Sequence, residues 1–310
     1  MGFRKARKKT RCPAYLGITM LPQLLVNGLI AGSVYALVAL GFGLIYSTTR
    51  FFHFAHGAVY AVGAYLTYAC WLMGWSLYVA VPLAVAGTAI LGGLLEIAVY
   101  RPLRKKGASN LISLLASLGL FILIQNLISL IFGDDTKTIR SGVVAEGLPI
   151  FGARITPIQI TIIIVSAVLI VLCWVLMKKT KIGKAMRAVA NDPELARVIG
   201  IDSDRVILFT FALGSALAAV AAILISLDTD MTPMMGFYAL LMGVVAVIAG
   251  GVGSIPGAAL GGLLVGMAQH LGVWKIPTQW QDTIVFLILI FFLLFRPQGF
   301  LGKAVKKAAV

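Results

Sequence analysis

The feature that most constrains this chain is the length of its apolar runs. Leu21 to Tyr46, Phe54 to Met73, Tyr78 to Tyr100, Leu111 to Phe132, Thr156 to Met177 and Val206 to Leu227 are each at least 20 residues long. A helix rises about 1.5 Å per residue, so each run can cross a hydrocarbon core of about 30 Å. The stretch from Phe237 to Leu271 is too long for one helix and is cut at Gly250-Gly251-Val252-Gly253-Ser254-Ile255-Pro256-Gly257. It reads as two shorter helices meeting at a break. A last run, Ile284 to Phe295, extends back to Trp280. Strands are not expected, because nothing alternates in short segments. The expected fold is an all-α polytopic membrane protein with eight or nine transmembrane or re-entrant helical segments.

Composition agrees. Of 310 residues, 60% are hydrophobic and only 12% charged, more apolar surface than a soluble domain of this size could bury. This excludes a soluble enzyme, a disordered chain and a secreted disulfide scaffold. Cys12, Cys70 and Cys173 are far apart and odd in number, so neither a disulfide framework nor a metal cluster is expected. The expected organisation is a basic tail over residues 1–19, one membrane domain over 20–302 with a polar loop at 178–205, and a short tail over 303–310. The N-terminus looks like a signal peptide, but its apolar run is too long for one and reads as an uncleaved first helix.

The net charge of +15 could suggest an anionic partner. Sorted by segment, it does not. Met1 to Arg11, Arg101 to Lys106, Lys178 to Arg205 and Arg296 to Lys307 hold 21 of the 26 basic residues and four acids, a net of +17. Arg50, Gly133 to Pro157, Asp228 to Pro233 and Gly272 to Asp282 hold five basic and six acidic residues, a net of −1, and Glu96 supplies the rest. This is the positive-inside pattern of a chain in a lipid bilayer, and it predicts that both termini are cytoplasmic. No nucleic acid is implied. The alternation then conflicts in one place: three apolar runs lie between two segments assigned to the same side. Arg50 to Met73 is the candidate re-entrant or broken run, because it opens with the polar Phe51-Phe52-His53-Phe54-Ala55-His56-Gly57.

Small residues recur four apart: Gly28 with Gly32, Gly253 with Gly257, Gly257 with Gly261, Gly262 with Gly266. Such pairs let helix backbones approach closely in lipid, and packing is their leading reading. The breaks at 51–57 and 250–257 each interrupt an apolar region in its own half of the chain. Discontinuous helices in corresponding halves point to a transport pathway, here with a weak internal repeat of small-residue helix, polar break and short Gly-rich helix. Polar residues within the runs are few: Asn27, Ser33, Gln125, Asn126, His53, His56 and Glu96. Asn27, Gln125 and Asn126 read first as bonds between neighbouring helices. His53 and His56 share a helical face but have no third ligand, so no metal site is expected. No charged relay crosses the bilayer, which disfavours a proton-coupled pump. Asp134-Asp135 and Asp228-x-Asp230 read as loop acids. No nucleophile–base set, phosphate loop or dinucleotide fingerprint is present, so no catalytic residue is assigned.

The polar loop contains the most specific local pattern. Asn191-Asp192-Pro193-Glu194 reads as a helix start, with Asn191 as cap, Pro193 in the first turn and Glu194 closing a capping box. Gly200 suits the left-handed position just past the end. The predicted helix covers roughly Pro193 to Ile199. Its apolar Leu195, Ala196, Val198 and Ile199 fit either an interfacial helix lying on lipid or a docking knob for a soluble partner.

These features together resemble the permease subunit of branched-chain amino acid ABC importers, of the H type in the LivH/LivM family. The resemblance runs from about Leu24 to Gly302. It is carried by Asn27-Gly28 with Gly32-Ser33-Val34-Tyr35-Ala36-Leu37, by His53-Phe54-Ala55-His56-Gly57 with Tyr60 and Gly63-Ala64-Tyr65, and by Tyr100-Arg101-Pro102-Leu103-Arg104. Gly183-Lys184-Ala185-Met186-Arg187-Ala188, Ile199-Gly200-Ile201-Asp202-Ser203-Asp204-Arg205-Val206, Gly250 to Ala258 and Arg296-Pro297-Gln298-Gly299-Phe300-Leu301-Gly302 complete it. His53 stands where the family commonly has Asn.

The resemblance implies half of a transmembrane pore in the bacterial inner membrane. Its partners would be an M-type permease or a second copy, two cytoplasmic ATPases and an extracytoplasmic substrate-binding protein. This chain would hold no cofactor, since ATP and Mg would be bound by the ATPases. Arg187, Asn191, Pro193, Glu194, Leu195, Arg197 and Gly200 would form the ATPase-coupling region. Asn27, Ser33, Tyr35, His56, Gly57, Gly253 and Ser254 are the expected lining of the passage, being polar or small and close to helix interruptions. The alternatives are a urea or short-amide permease of the same family and, in another class, a stand-alone transporter or channel.

Overall fold

The computed structural model describes residues 15–139, 147–150 and 152–302. Most of each basic tail, with its orienting role, therefore lies outside the described residues. Twelve α-helices follow in order: α1 Tyr15–Thr49, α2 Ala55–Leu72, α3 Leu77–Leu95, α4 Arg101–Lys105, α5 Asn110–Phe132, α6 Pro157–Lys179, α7 Lys181–Asn191, α8 Pro193–Val198, α9 Ser203–Asp228, α10 Met235–Gly250, α11 Ile255–Gly272 and α12 Gln281–Phe295. A π-helical stretch, Glu96–Tyr100, joins α3 to α4. Six helices are long and apolar enough to cross a membrane: α1, α3 continued through α4, α5, α6, α9, and α12 with its preceding turn. The shorter α2, α10 and α11 complete the helical bundle among the described residues. One exception to the strand-free expectation is a hairpin outside the helices, Leu148–Ile150 paired with Ala153–Ile155 across Gly152.

Side-chain contacts sort the loops onto two faces. At one end of α1, Gln23 exchanges hydrogen bonds with the backbone of Arg154. At the other end, the Arg50 guanidinium donates to the Ala190 carbonyl at 2.5 Å, and Ser47 lies beside Gly253. A helix of 35 residues spans about 52 Å, enough to join opposite faces of the bundle. This corrects one expectation. Arg50 belongs with the 178–205 loop, not opposite it. The first helix starts on the face opposite the one where α12 ends, so the two ends of the described chain do not share a side.

The parity conflict then disappears. The stretch after Thr49 folds back along α1 until His56 lies against Gly41. From there α2 runs as a continuous helix to the far face, where Tyr65 and Tyr68 meet Phe132 at the end of α5. Of the two readings, re-entrant or broken, the run Arg50 to Met73 is the broken one: a non-helical opening followed by a helix to the far face. Its polar opening is tolerated because protein covers it: His53 and His56 are both fully buried.

The centre of the bundle is α1, with α2, α9, α10 and α11 around it, while α3, α5, α6 and α12 present long apolar faces outward. The small-residue pairs make the central contacts. Gly28 and Gly32 of α1 fit against Gly262 and Gly266 of α11, and Gly257 and Gly261 of α11 fit against Gly250 and Ala246 of α10. At each site a Cβ would strike a neighbouring backbone, which is why these seams need glycine.

Candidate functional site

The residues expected to line a passage fall at three levels. Near the Arg154 face, Asn27 is half-buried and accepts from Gln23 Nε2 at 3.0 Å. Tyr35 donates to Gln269 Oε1 at 2.8 Å, and Gln269 Nε2 donates to Asp282 Oδ1 at 3.2 Å. This chain joins α1, α11 and α12. The sequence did not single out Gln269 or Asp282, although a buried amide in an apolar helix was a legible signal. Ser33 is buried and returns its hydroxyl to the Leu29 carbonyl at 2.7 Å, which satisfies it within its own helix.

In the middle lie His56 and Gly57. Gly57, in the first turn of α2, meets Gly236, in the first turn of α10, with backbone against backbone. Two short helices thus begin inside the bundle and converge at their N-terminal ends. At the opposite face, Gly253 has φ +79, and Ser254 caps α11 by accepting from Gly257 N at 3.2 Å. The terminal motif closes this break: Phe300 N and Leu301 N donate to the carbonyls of Ala249 and Gly250 at 2.9 and 3.0 Å. Two motifs far apart in sequence form one structural unit. The passage candidates do not share a single cavity; they follow the α1 axis from one face to the other.

The coupling region is built on two helices, not one. α7 was not foreseen, yet its Gly183, Met186 and Val189 recur at helical spacing and are buried against the bundle, while Arg187 is exposed. Asn191 is the last residue of α7, so it cannot cap the next helix. Asp192 does so: its Oδ1 accepts from Glu194 N and Leu195 N at 2.9 and 3.0 Å. Pro193 then takes the first helical position, where a missing N–H costs nothing. Gly200 has φ +85, and Ile201 N reaches back to the Ala196 carbonyl at 2.9 Å, the expected left-handed end. Of the apolar residues of this helix and its C-terminal end, only Ala196 is buried. Leu195, Val198 and Ile199 are 59%, 83% and 66% exposed. Glu194 and Arg197 flank them, also exposed.

Beside α8 lies a cleft of about 450 Å³ lined by Arg104, Lys105, Arg197, Asp202, Ser203 and Asp204. Its floor is an ion-pair network. Arg104 Nη2 contacts Glu96 Oε1 at 2.6 Å and Asp204 Oδ1 at 3.0 Å, and Arg101 Nε contacts Asp204 Oδ2 at 3.0 Å. Among the described residues, Glu96 is the one charged side chain that is fully buried. Four residues on, Tyr100 leaves the same π-helical stretch and its hydroxyl lies 3.1 Å from His53 Nδ1. In the sequence Glu96 stands out only as a polar residue within an apolar run, without its partners.

Known proteins match this arrangement along nearly its whole length. A family profile described as the permease component of branched-chain amino acid transport systems matches residues 24–293. The chain is 37% identical over 297 residues to the high-affinity branched-chain amino acid transport system permease protein BraD of Pseudomonas aeruginosa, covering 91% of this chain and 95% of that protein. It is 36% identical over 296 residues to the corresponding permease protein LivH of Escherichia coli, with the same coverage. Among solved structures it is similar to PsaBC from Streptococcus pneumoniae in complex with Fab. That likeness, with a TM-score of 0.50 at 15% identity over 90% of this chain and 94% of the other, is one of fold.

Proposed function

Because the chain belongs to the branched-chain amino acid transport permease family, we propose that it is the membrane subunit of a binding-protein-dependent ABC importer for leucine, isoleucine and valine. The observation that carries this reading is the end-to-end likeness to BraD and LivH. The subunit would form half of the pathway, paired with a related permease or a second copy, in the bacterial inner membrane. ATP and Mg would be bound by two separate ATPases and not by this chain. A binding protein would deliver solute from outside.

The α8 face is taken as cytoplasmic: it carries thirteen of the sixteen Lys and Arg among the described residues. On that orientation α1 begins outside and α12 ends inside. The α8 knob is the ATPase-docking element, with Leu195, Val198 and Ile199 as its apolar tip and Arg187, Glu194 and Arg197 as its charged surround. Docking of this kind gives an apolar patch outside the bilayer a partner to bury it. Asn27, Ser33, Tyr35, His56, Gly57, Gly253 and Ser254 mark the route of the passage along α1. Alternating access would open it at one face and then the other, with the crossing of α2 and α10 at Gly57 and Gly236 as the point between.

The deciding experiment is uptake of labelled leucine by liposomes holding this subunit, its partner permease and the ATPases, with binding protein inside or outside. ATP-dependent uptake competed by isoleucine and valine is expected. Competition by urea or short amides instead would transfer the assignment to that branch of the family. Solute flux through this subunit alone without ATP would mean a channel and would overturn the reading. Single cysteines at Asn27, Tyr35 and Gly253 should react with a water-soluble thiol reagent in at least one nucleotide state; uniform silence would exclude the proposed route.

A further inference from the structure

The Glu96 network is expensive to build. Burying a carboxylate costs several kcal/mol, and its ion pairs generally do no better than apolar packing would. Stability is therefore a poor reason for placing Glu96 there, and its position suggests another. Starting from α8, Ser203 Oγ donates to the Pro193 carbonyl at 3.2 Å, tying the first turn of α9 to the docking helix. The next residue, Asp204, holds both Arg101 and Arg104, and Arg104 holds Glu96. The end of α3 is thereby fastened to the start of α9. Further along, Gly92 lies against Ser215 and the Phe211 carbonyl, and Tyr100 stacks on Phe211 with ring centroids 5.3 Å apart. These contacts seat the end of α3 on α9.

The other end of this unit reaches the break before α2. His53 sits edge-on to Tyr100 and Phe211, at 5.3 and 5.0 Å between centroids. Its Nδ1 is shared by the Tyr100 hydroxyl at 3.1 Å and Ser117 Oγ at 3.4 Å. Ser117 in turn accepts from Ala55 N, the first residue of α2, at 2.9 Å. Two residues later Gly57 meets α10.

We propose that the Glu96–Arg104–Asp204 network and the Tyr100–His53 hydrogen bond form one positioning link, carrying displacement of α8 to the first turn of α2. The link rests on the reading of α8 as the ATPase-docking element. It has a serial form: losing either end disconnects the same path.

The test uses the complete importer in liposomes and reads solute moved per ATP hydrolysed, with ATPase co-purification measured alongside. Tyr100→Phe keeps the stacked ring and removes only the hydroxyl; Asp204→Asn keeps the shape and removes the charge. Each is expected to lower the ratio about fivefold or more while the ATPases stay bound. The double variant should be no worse than the poorer single one, since one path cannot be cut twice. An unchanged ratio in Tyr100→Phe, losses that multiply in the double variant, or loss of the ATPases from the Tyr100→Phe complex would each overturn the link while leaving docking at α8 intact. Val198→Asp separates the two ideas. If the ATPases remain bound to that variant, the docking reading fails, and the link loses its input with it.

Discussion

Gly57 of α2 and Gly236 of α10 face each other so closely that a Cβ on either would collide with the other's carbonyl group. This contact lets two short helices start inside the bundle and cross at their first turns. Both glycines lie next to positions where the chain has just reversed or broken, and neither contact partner is local in sequence.

Gly236→Ala should therefore destabilise the subunit by about 1–3 kcal/mol, because the added methyl must move backbone and not a side-chain tip. Gly119→Ala, on α5 with nothing within 4 Å of the new methyl, should be neutral or slightly stabilising. Thermal unfolding of the purified subunit in detergent separates the two. Similar midpoints for both variants would contradict the crossing.

The cap of α8 gives a second pair of variants. Asp192→Ala removes the acceptor of two backbone N–H groups and should cost the helix about 1 kcal/mol. Asn191→Ala should cost much less, since Asn191 belongs to the preceding helix. Amide hydrogen exchange over residues 194–198 reads this directly. Faster exchange in the Asn191 variant than in the Asp192 variant would restore Asn191 as the cap.

Val198 is 83% exposed on a helix outside the membrane-spanning set. Val198→Asp should abolish or sharply reduce ATPase co-purification, with membrane insertion and yield unchanged. Replacement of a central apolar anchor at an interface typically costs about 2 kcal/mol or more. Retained ATPases would identify the exposed tip as a lipid-lying surface.

Orientation can be checked by labelling intact cells in a cysteine-free background. A cysteine at Met20, 53% exposed near the start of α1, should react with an impermeant reagent added outside. A cysteine at Val198 should react only after the cells are opened. Both reacting on the same side would invalidate the parity found from the Gln23–Arg154 and Arg50–Ala190 contacts.

Legibility in the sequence followed the range of the interactions involved. Helix lengths, the break at 250–257, the left-handed Gly200 and the extent of α8 all depend on hydropathy or on residues within one or two turns, and these were readable. The cap was misplaced by one residue because Asn191 and Asp192 are chemically equivalent candidates. Only the length of α7, set by what Met186 and Val189 pack against, decides between them. The candidate site was legible only as separate polar residues: Tyr35 was named without Gln269, and Glu96 without Arg104 and Asp204. The pairs Tyr35–Gln269 and Arg104–Asp204 each join helices that are distant along the chain.

The sequence by itself determined that the chain is a helical membrane protein, where its helices are interrupted and which loops are basic, because burial of apolar length and local backbone preference are written residue by residue. The face on which Arg50 lies was decided by tertiary structure alone. Charge segregation biases orientation by small energies, whereas the side on which Arg50 lies follows from a helix about 52 Å long at the centre of the bundle. Tertiary structure also decided that the two broken helices meet at Gly57 and Gly236, since no local rule specifies which distant backbone a glycine has been left bare to receive.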